Sequence, residues 1–395
     1  MMRLHLKRGA AIVLCLMMAV VFVPTMAFAA DKQDEFIVNN VTKPSEINGE
    51  LSKFSIDRGA YPEIEDGFIE PVSLTEGVIG VYATMKALYP DPDLDDGEAN
   101  VKFGIFYDKV CNNPVDGVMN IDQYSSDDGD GTDYYFQIPE AGDYYLYVYA
   151  LYSEDPQKDD WHGSTHIDVN MCINQYEEAK DGTVLKNDTV YGVKSQPDAK
   201  HTFKYENANT GLLTLNTDQD THTELLQSSG ELIGKEYLDD QVVSFGVKEN
   251  TEYQLDVKNL SALYNAYGYY IFTESTPMVT QAGPSKAKAK TLKKGAAKNA
   301  LFIAGEENPQ WFKFKLTKKS KIKLKISGKT SHQLNFHFYK GKKKKEIKML
   351  ETYIADFHEN RSITSSSKLS KGTYYVKITQ GKLSSGSASI MWKYK

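Results

Sequence analysis

Carboxylates cluster most densely in two short runs, Asp91-Pro92-Asp93-Leu94-Asp95-Asp96-Gly97-Glu98 and Asp127-Asp128-Gly129-Asp130-Gly131-Thr132-Asp133. Calcium takes six to eight oxygen ligands, and aspartates gathered on a glycine-rich turn can supply several of them. Asp93, Asp95, Asp96, Asp128, Asp130 and Asp133 are therefore candidate Ca2+ ligands. The rhythm Asp128, Asp130, Thr132 suits a calcium loop, but Asp133 stands where an EF-hand needs glycine. A solvated acidic turn is the competing reading, because Asp and Gly favour turns by themselves.

Lysines form the second group. Lys313, Lys315, Lys321, Lys323 and Lys325 alternate with Phe312, Phe314, Ile322, Leu324 and Ile326. A period of two sends the apolar set into a core and the lysines outward. Lys342, Lys343, Lys344 and Lys345 add four charges on an expected hairpin. Such a face suits an anionic surface: wall polymers, acidic polysaccharide or lipid headgroups. It could also dock on the chain's own acidic body, or simply keep sheet edges from pairing. No nucleic-acid fold signature accompanies it, so nucleic acid is not expected as a partner.

Other reactive groups are sparse. His162 and His166 stand near Asp159 and Asp160 without a third ligand, and are read as surface residues rather than a zinc site. Cys111 and Cys172 lie 61 residues apart and could bridge in an oxidising compartment or remain two buried thiols. Gly-x-Ser-x-Gly, His-Glu-x-x-His and Cys-protease motifs are absent, so a non-enzymatic role is expected, although a triad built from distant residues leaves no such trace. Tyr145, Tyr147 and Tyr149 share one strand face and could stack on sugar rings or pack against a neighbouring domain.

The elements that must carry these groups are strands. The sequence holds 26 Tyr and 17 Phe, strand-forming residues set among Gly, Asn and Asp turns, with no convincing amphipathic helix. Ala141-Gly142-Asp143-Tyr144-Tyr145-Leu146-Tyr147-Val148 and Lys371-Gly372-Thr373-Tyr374-Tyr375-Val376-Lys377-Ile378 share the pattern Gly-x-Tyr-Tyr-aliphatic-x-aliphatic, and Thr251 to Val257 is a weaker copy. The first tyrosines fall at 144, 253 and 374, so the repeating unit is a domain. Two further pairs support the repeat. Trp311-Phe312-Lys313-Phe314 matches His201 to Tyr205, and Leu334 to Tyr339 matches Val101 to Tyr107. The fold class expected is all-β: three tandem antiparallel, jelly-roll-like sandwiches.

These motifs resemble the bacterial pre-peptidase C-terminal domain family, best over 285–395, less over 180–276 and least over 65–175. The resemblance implies β-sandwich modules of exported proteins and an accessory or binding role; no peptidase domain accompanies them.

The division expected is a signal peptide over 1–29, an extended leader over 30–64, an acidic sandwich over 65–175 and a second sandwich over 176–276. A Lys/Ala/Gly linker over 277–300 and a basic sandwich over 301–395 follow. Arg3, Lys7 and Arg8, the apolar stretch Gly9 to Val23 and Ala27-Phe28-Ala29 carry the signal-peptide reading, and with it a secreted location. No later apolar stretch is long enough for a transmembrane span. The net charge of −7 conceals an asymmetry: from Gly283 onward 27 Lys plus Arg face 6 Asp plus Glu. A secreted binding or adhesion protein follows as the expectation, with an anionic cell-wall polymer or polysaccharide as partner. A carbohydrate-binding or peptidase-associated accessory protein is the alternative.

Overall fold

The computed structural model describes residues 36–58, 67–88, 99–123, 132–151, 165–236, 241–260, 267–341, 347–355 and 359–395. The described elements are strands apart from two single-turn 3-10 helices. Unit 1 contains β1 (Val38–Val41), β2 (Ser52–Arg58), β3 (Gly67–Leu74), β4 (Gly77–Leu88), β5 (Ala99–Phe106), β6 (Pro114–Gln123), β7 (Thr132–Ile138), β8 (Gly142–Leu151) and β9 (Thr165–Glu178). Unit 2 contains β10 (Val184–Leu185), β11 (Val190–Lys194), β12 (Lys200–Asn207), β13 (Gly211–Thr217), β14 (Thr221–Gln227), β15 (Leu232–Lys235), β16 (Val242–Val247), β17 (Thr251–Asn259) and β18 (Gly268–Pro277). Unit 3 contains β19 (Lys290–Thr291), β20 (Lys298–Phe302), β21 (Gln310–Leu316), β22 (Ile322–Thr330), β23 (Leu334–Lys340), β24 (Thr352–Ile354), β25 (Glu359–Thr364), β26 (Gly372–Gln380) and β27 (Gly386–Tyr394).

Each unit repeats one topology. Unit 3 pairs β20-β27-β22-β25 in one sheet and β21-β26-β23-β24 in the other. Unit 2 pairs β11-β18-β13-β16 and β12-β17-β14-β15, and unit 1 pairs β2-β9-β4-β7 and β3-β8-β5-β6. Counting eight strands within each unit, the orders are 1-8-3-6 and 2-7-4-5. Two four-stranded antiparallel sheets wound in this way make a jelly roll, as the sequence led us to expect.

Alternation explains the cores. In β22, Ile322, Leu324 and Ile326 are buried against Phe312, Phe314 and Trp392, while Lys323 and Lys325 point away. The Gly-x-Tyr-Tyr motif has a specific cause. Tyr374 is 1% exposed and donates its hydroxyl hydrogen bond to the Ser370 carbonyl at 2.7 Å, four residues back. Tyr144 does the same to Glu140 at 2.6 Å. A buried phenol that closes its own entry turn satisfies its hydroxyl and sets the strand's register. In unit 2 the Tyr253 hydroxyl instead accepts the Lys248 N–H at 2.9 Å. The second tyrosine of the motif, Tyr145 or Tyr375, faces outward.

The units are less separate than their sequences suggest. The leader is structural: β1 and β2 both pair with β9. β9 then continues into unit 2 by pairing in parallel with β11, so one nine-stranded sheet crosses both units. The linker supplies β19, which pairs with β21, and β20, which pairs with β27. Trp392 Nε1 donates to the Leu292 carbonyl at 2.9 Å, fastening that segment to the core of unit 3.

A tyrosine–carboxylate bolt joins units 1 and 2. The Tyr135 hydroxyl donates to Asp218 Oδ2, and the Tyr270 N–H lies 2.9 Å from Asp218 Oδ1 and 3.1 Å from the Tyr135 oxygen. Units 2 and 3 meet where the Ala304 N–H donates to the Gly246 carbonyl at 2.9 Å.

Candidate functional site

The outer face of the β19-β21-β26-β23-β24 sheet gathers side chains of two kinds. β21 presents Trp311, Lys313 and Lys315; β26 presents Thr373, Tyr375 and Lys377; β23 presents Asn335, His337 and Tyr339. Their neighbours in sequence, Phe312, Phe314, Tyr374, Val376, Phe336 and Phe338, fill the core, so the outward set is fixed by the pleat. Pairing then assembles rows. Lys313 stands opposite Tyr375, and Tyr375 opposite Tyr339. Trp311 stands opposite Lys377, and Lys377 opposite His337.

The rings interact across the sheet. Trp311 and Tyr339 have centroids 5.9 Å apart at 34°. Lys286 arrives from the segment before β19, where Gly283 and Trp311 exchange backbone hydrogen bonds at 2.9 and 2.8 Å. Its Nζ stands 4.9 Å from the Tyr375 ring centre and 5.4 Å from that of Tyr339. At that distance a cation is held by the ring quadrupole. Glu351 Oε1 lies 3.4 Å from His337 Nδ1 at one margin of this face.

The expected lysine face divides in two. Lys313 and Lys315 lie on β21, whereas Lys323 and Lys325 lie on β22 of the opposite sheet. All four point outward, but on opposite sides of the sandwich, because β21 pairs with β26 and β22 with β27. Lys321 is exposed just before β22. Lys342, Lys343, Lys344 and Lys345 lie outside the described residues. The sequence reading missed Trp311, Tyr339, Tyr375, Lys377 and Lys286. The first four sit at outward positions of strands already recognised, so the same period of two could have found them.

Asp93, Asp95, Asp96, Asp128 and Asp130 also lie outside the described residues, as does His162. Asp133 lies on β7 opposite Tyr82, and His166 on β9 opposite Asp57 and Leu88; only their backbones are described. Among the described residues no group of three or more His, Cys, Asp or Glu is placed to hold a metal.

Cys111 and Cys172 do not form a disulfide. Cys111 sits in the turn between β5 and β6, whereas Cys172 sits on β9 of the other sheet. Its neighbours Met171 and Ile173 enter the core, so Cys172 faces away from Cys111, beside Asn48 and Asn174. Burial, with Asp108 nearby, pushes the Cys111 thiol up to about 11. Of the unit 1 tyrosines, Tyr145 is half-buried and Tyr147 is covered, 6.3 Å from the Phe106 ring. Tyr149 is described only in its backbone.

No helix among the described residues is long and apolar enough to cross a membrane. No family model and no curated protein matches the chain. Among solved structures it is similar to the N-terminal CBM22-1–CBM22-2 tandem domain of Xyn10C from Paenibacillus barcinonensis, at 9% identity and a TM-score of 0.20, covering 88% of this chain and 91% of that one. It is also similar to tripeptidyl peptidase 2, at 10% identity and a TM-score of 0.25, covering 91% of this chain and 24% of that one. The chain thus spans about a quarter of the length of that peptidase. Neither likeness bears on function at these scores.

Proposed function

We propose that the chain is a secreted, non-enzymatic binding protein whose third sandwich attaches it to an anionic polymer of the bacterial cell surface. One observation carries the reading. Among the described strands of unit 3, Glu359 is the single carboxylate, while lysines occupy outward positions on both sheets. A sandwich that needed only solubility would mix both signs on its surface. Nine strands with one acid instead build a positive field, and such a field captures polyanions.

The test is sedimentation of the full chain with anionic wall polymer over a salt series. Binding should be strong at low ionic strength and fall steeply as the screening length shortens from about 10 Å at 0.1 M to about 3 Å at 1 M. Absent or salt-insensitive association sinks the proposal. Carbohydrate recognition is the second reading, favoured by the ring cluster around Trp311.

A further inference from the structure

We infer that the outer face of the β21-β26-β23 sheet binds a polysaccharide of acidic sugars, with Trp311 as the platform for a sugar ring and Lys286, Lys313 and Lys377 as partners for its acid groups. The inference rests on the proposed attachment to anionic polymer and narrows it to one face and one ligand chemistry.

Charge alone does not account for this face. A surface that works only by attraction needs lysines, yet three aromatic rings occupy outward positions on three adjacent strands. Rings left half-buried toward solvent offer flat apolar area, which the C–H face of a sugar ring covers well. Their placement also matters. Lys377 is the cross-strand neighbour of Trp311, about 4.8 Å away between strands, and Lys313 lies two residues along, about 6.8 Å. A sugar stacked on Trp311 therefore has a cation beside it in both directions of the sheet. Lys286, held over Tyr375 and Tyr339, adds a third on the far side.

Unit 2 provides an internal comparison. Its topologically equivalent strands β12, β17 and β14 turn Lys200, Thr202, Gln254, Asp256, His222 and Glu224 outward, without Trp, Tyr or Phe. There Lys200 Nζ lies 2.6 Å from Asp256 Oδ2, and Thr202 and Gln254 also bond Asp256. The fold thus does not demand rings at these positions; unit 3 has a combination of rings and cations that unit 2 lacks. The opposite sheet is the poorer candidate, because β22 and β27 are the strands through which unit 3 meets β16 of unit 2.

The experiment measures affinity of the full chain for polygalacturonate (acidic sugar rings), polyglutamate (acid groups without sugar), dextran (neutral sugar) and anionic phospholipid vesicles. Polygalacturonate should bind at least about tenfold more tightly than the other three, and Trp311→Ala should lose about tenfold for it while leaving polyglutamate binding unchanged. Trp311→Phe should retain most of the affinity, which separates loss of stacking from loss of fold. Lys377→Ala should weaken binding and flatten its salt dependence, whereas Lys204→Ala, at an exposed position of β12 in unit 2, should bind polygalacturonate as the parent does. Equal binding of polyglutamate with no effect of Trp311→Ala would overturn the inference yet leave charge-driven attachment standing. Preference for vesicles would overturn it in favour of a lipid surface. Failure to bind any polyanion at low salt would remove both.

Discussion

Tyr374 and Tyr144 show how a single side chain makes a repeat visible. Each buries its ring and spends its hydroxyl on a carbonyl four residues earlier. Tyr374→Phe should therefore lower stability by about 1 kcal/mol, the usual net value of one such hydrogen bond, seen as a lower melting temperature. Asp218 is a residue that no sequence pattern announces. The residue keeps some exposure, but its carboxyl is enclosed by Tyr135, the Tyr270 N–H and Gln219, and burial pushes it up to about 6 against those hydrogen bonds. Lys194 donates to the Tyr135 carbonyl at 2.8 Å, and Tyr269 packs close enough to feel the Asp218 charge. An acid whose folded value lies above its unfolded one, about 3.9, favours folding most below that lower value and loses the advantage as pH rises through 6. The parent should lose stability between about pH 4 and pH 7 through this group, and Asp218→Asn should show a flatter pH profile of melting temperature. An unchanged slope would remove Asp218 from the account.

At the scale of elements, alternation carried most of the information. Ile322-Lys323-Leu324-Lys325-Ile326 announces a strand with one face buried, and β22 is that strand. What alternation cannot express is which sheet a strand joins. β21 finds β26, and β22 finds β27, partners more than fifty residues away, so lysines adjacent in sequence separate onto opposite faces. Short strands such as β10 and β19 escaped because two residues have no period to read. They are strands by virtue of the edges they meet. The junction of units 2 and 3 depends on one such close approach. A Cβ at Gly246 would stand 2.0 Å from the Phe302 carbonyl oxygen. Gly246→Ala should cost about 1–3 kcal/mol and loosen unit 3 from unit 2, read as a larger radius of gyration in small-angle scattering. A radius equal to the parent's would show that the junction does not rely on this contact.

The whole molecule is three jelly rolls in series, with negative charge concentrated before residue 283 and positive charge after it. This asymmetry was legible at once; the ring-and-lysine face was not, because it exists only after β21, β26 and β23 are laid side by side. The acidic runs of unit 1 are proposed to hold Ca2+. Added calcium should then raise the melting temperature of the full chain and a chelator should reverse it, with no shift if the runs are merely solvated turns. Attachment through unit 3 is tested most directly by amide hydrogen exchange of the full chain with and without bound polygalacturonate. New protection should be confined to 283–289, β21 and β26; protection on unit 1 or unit 2 instead would overturn attachment through unit 3.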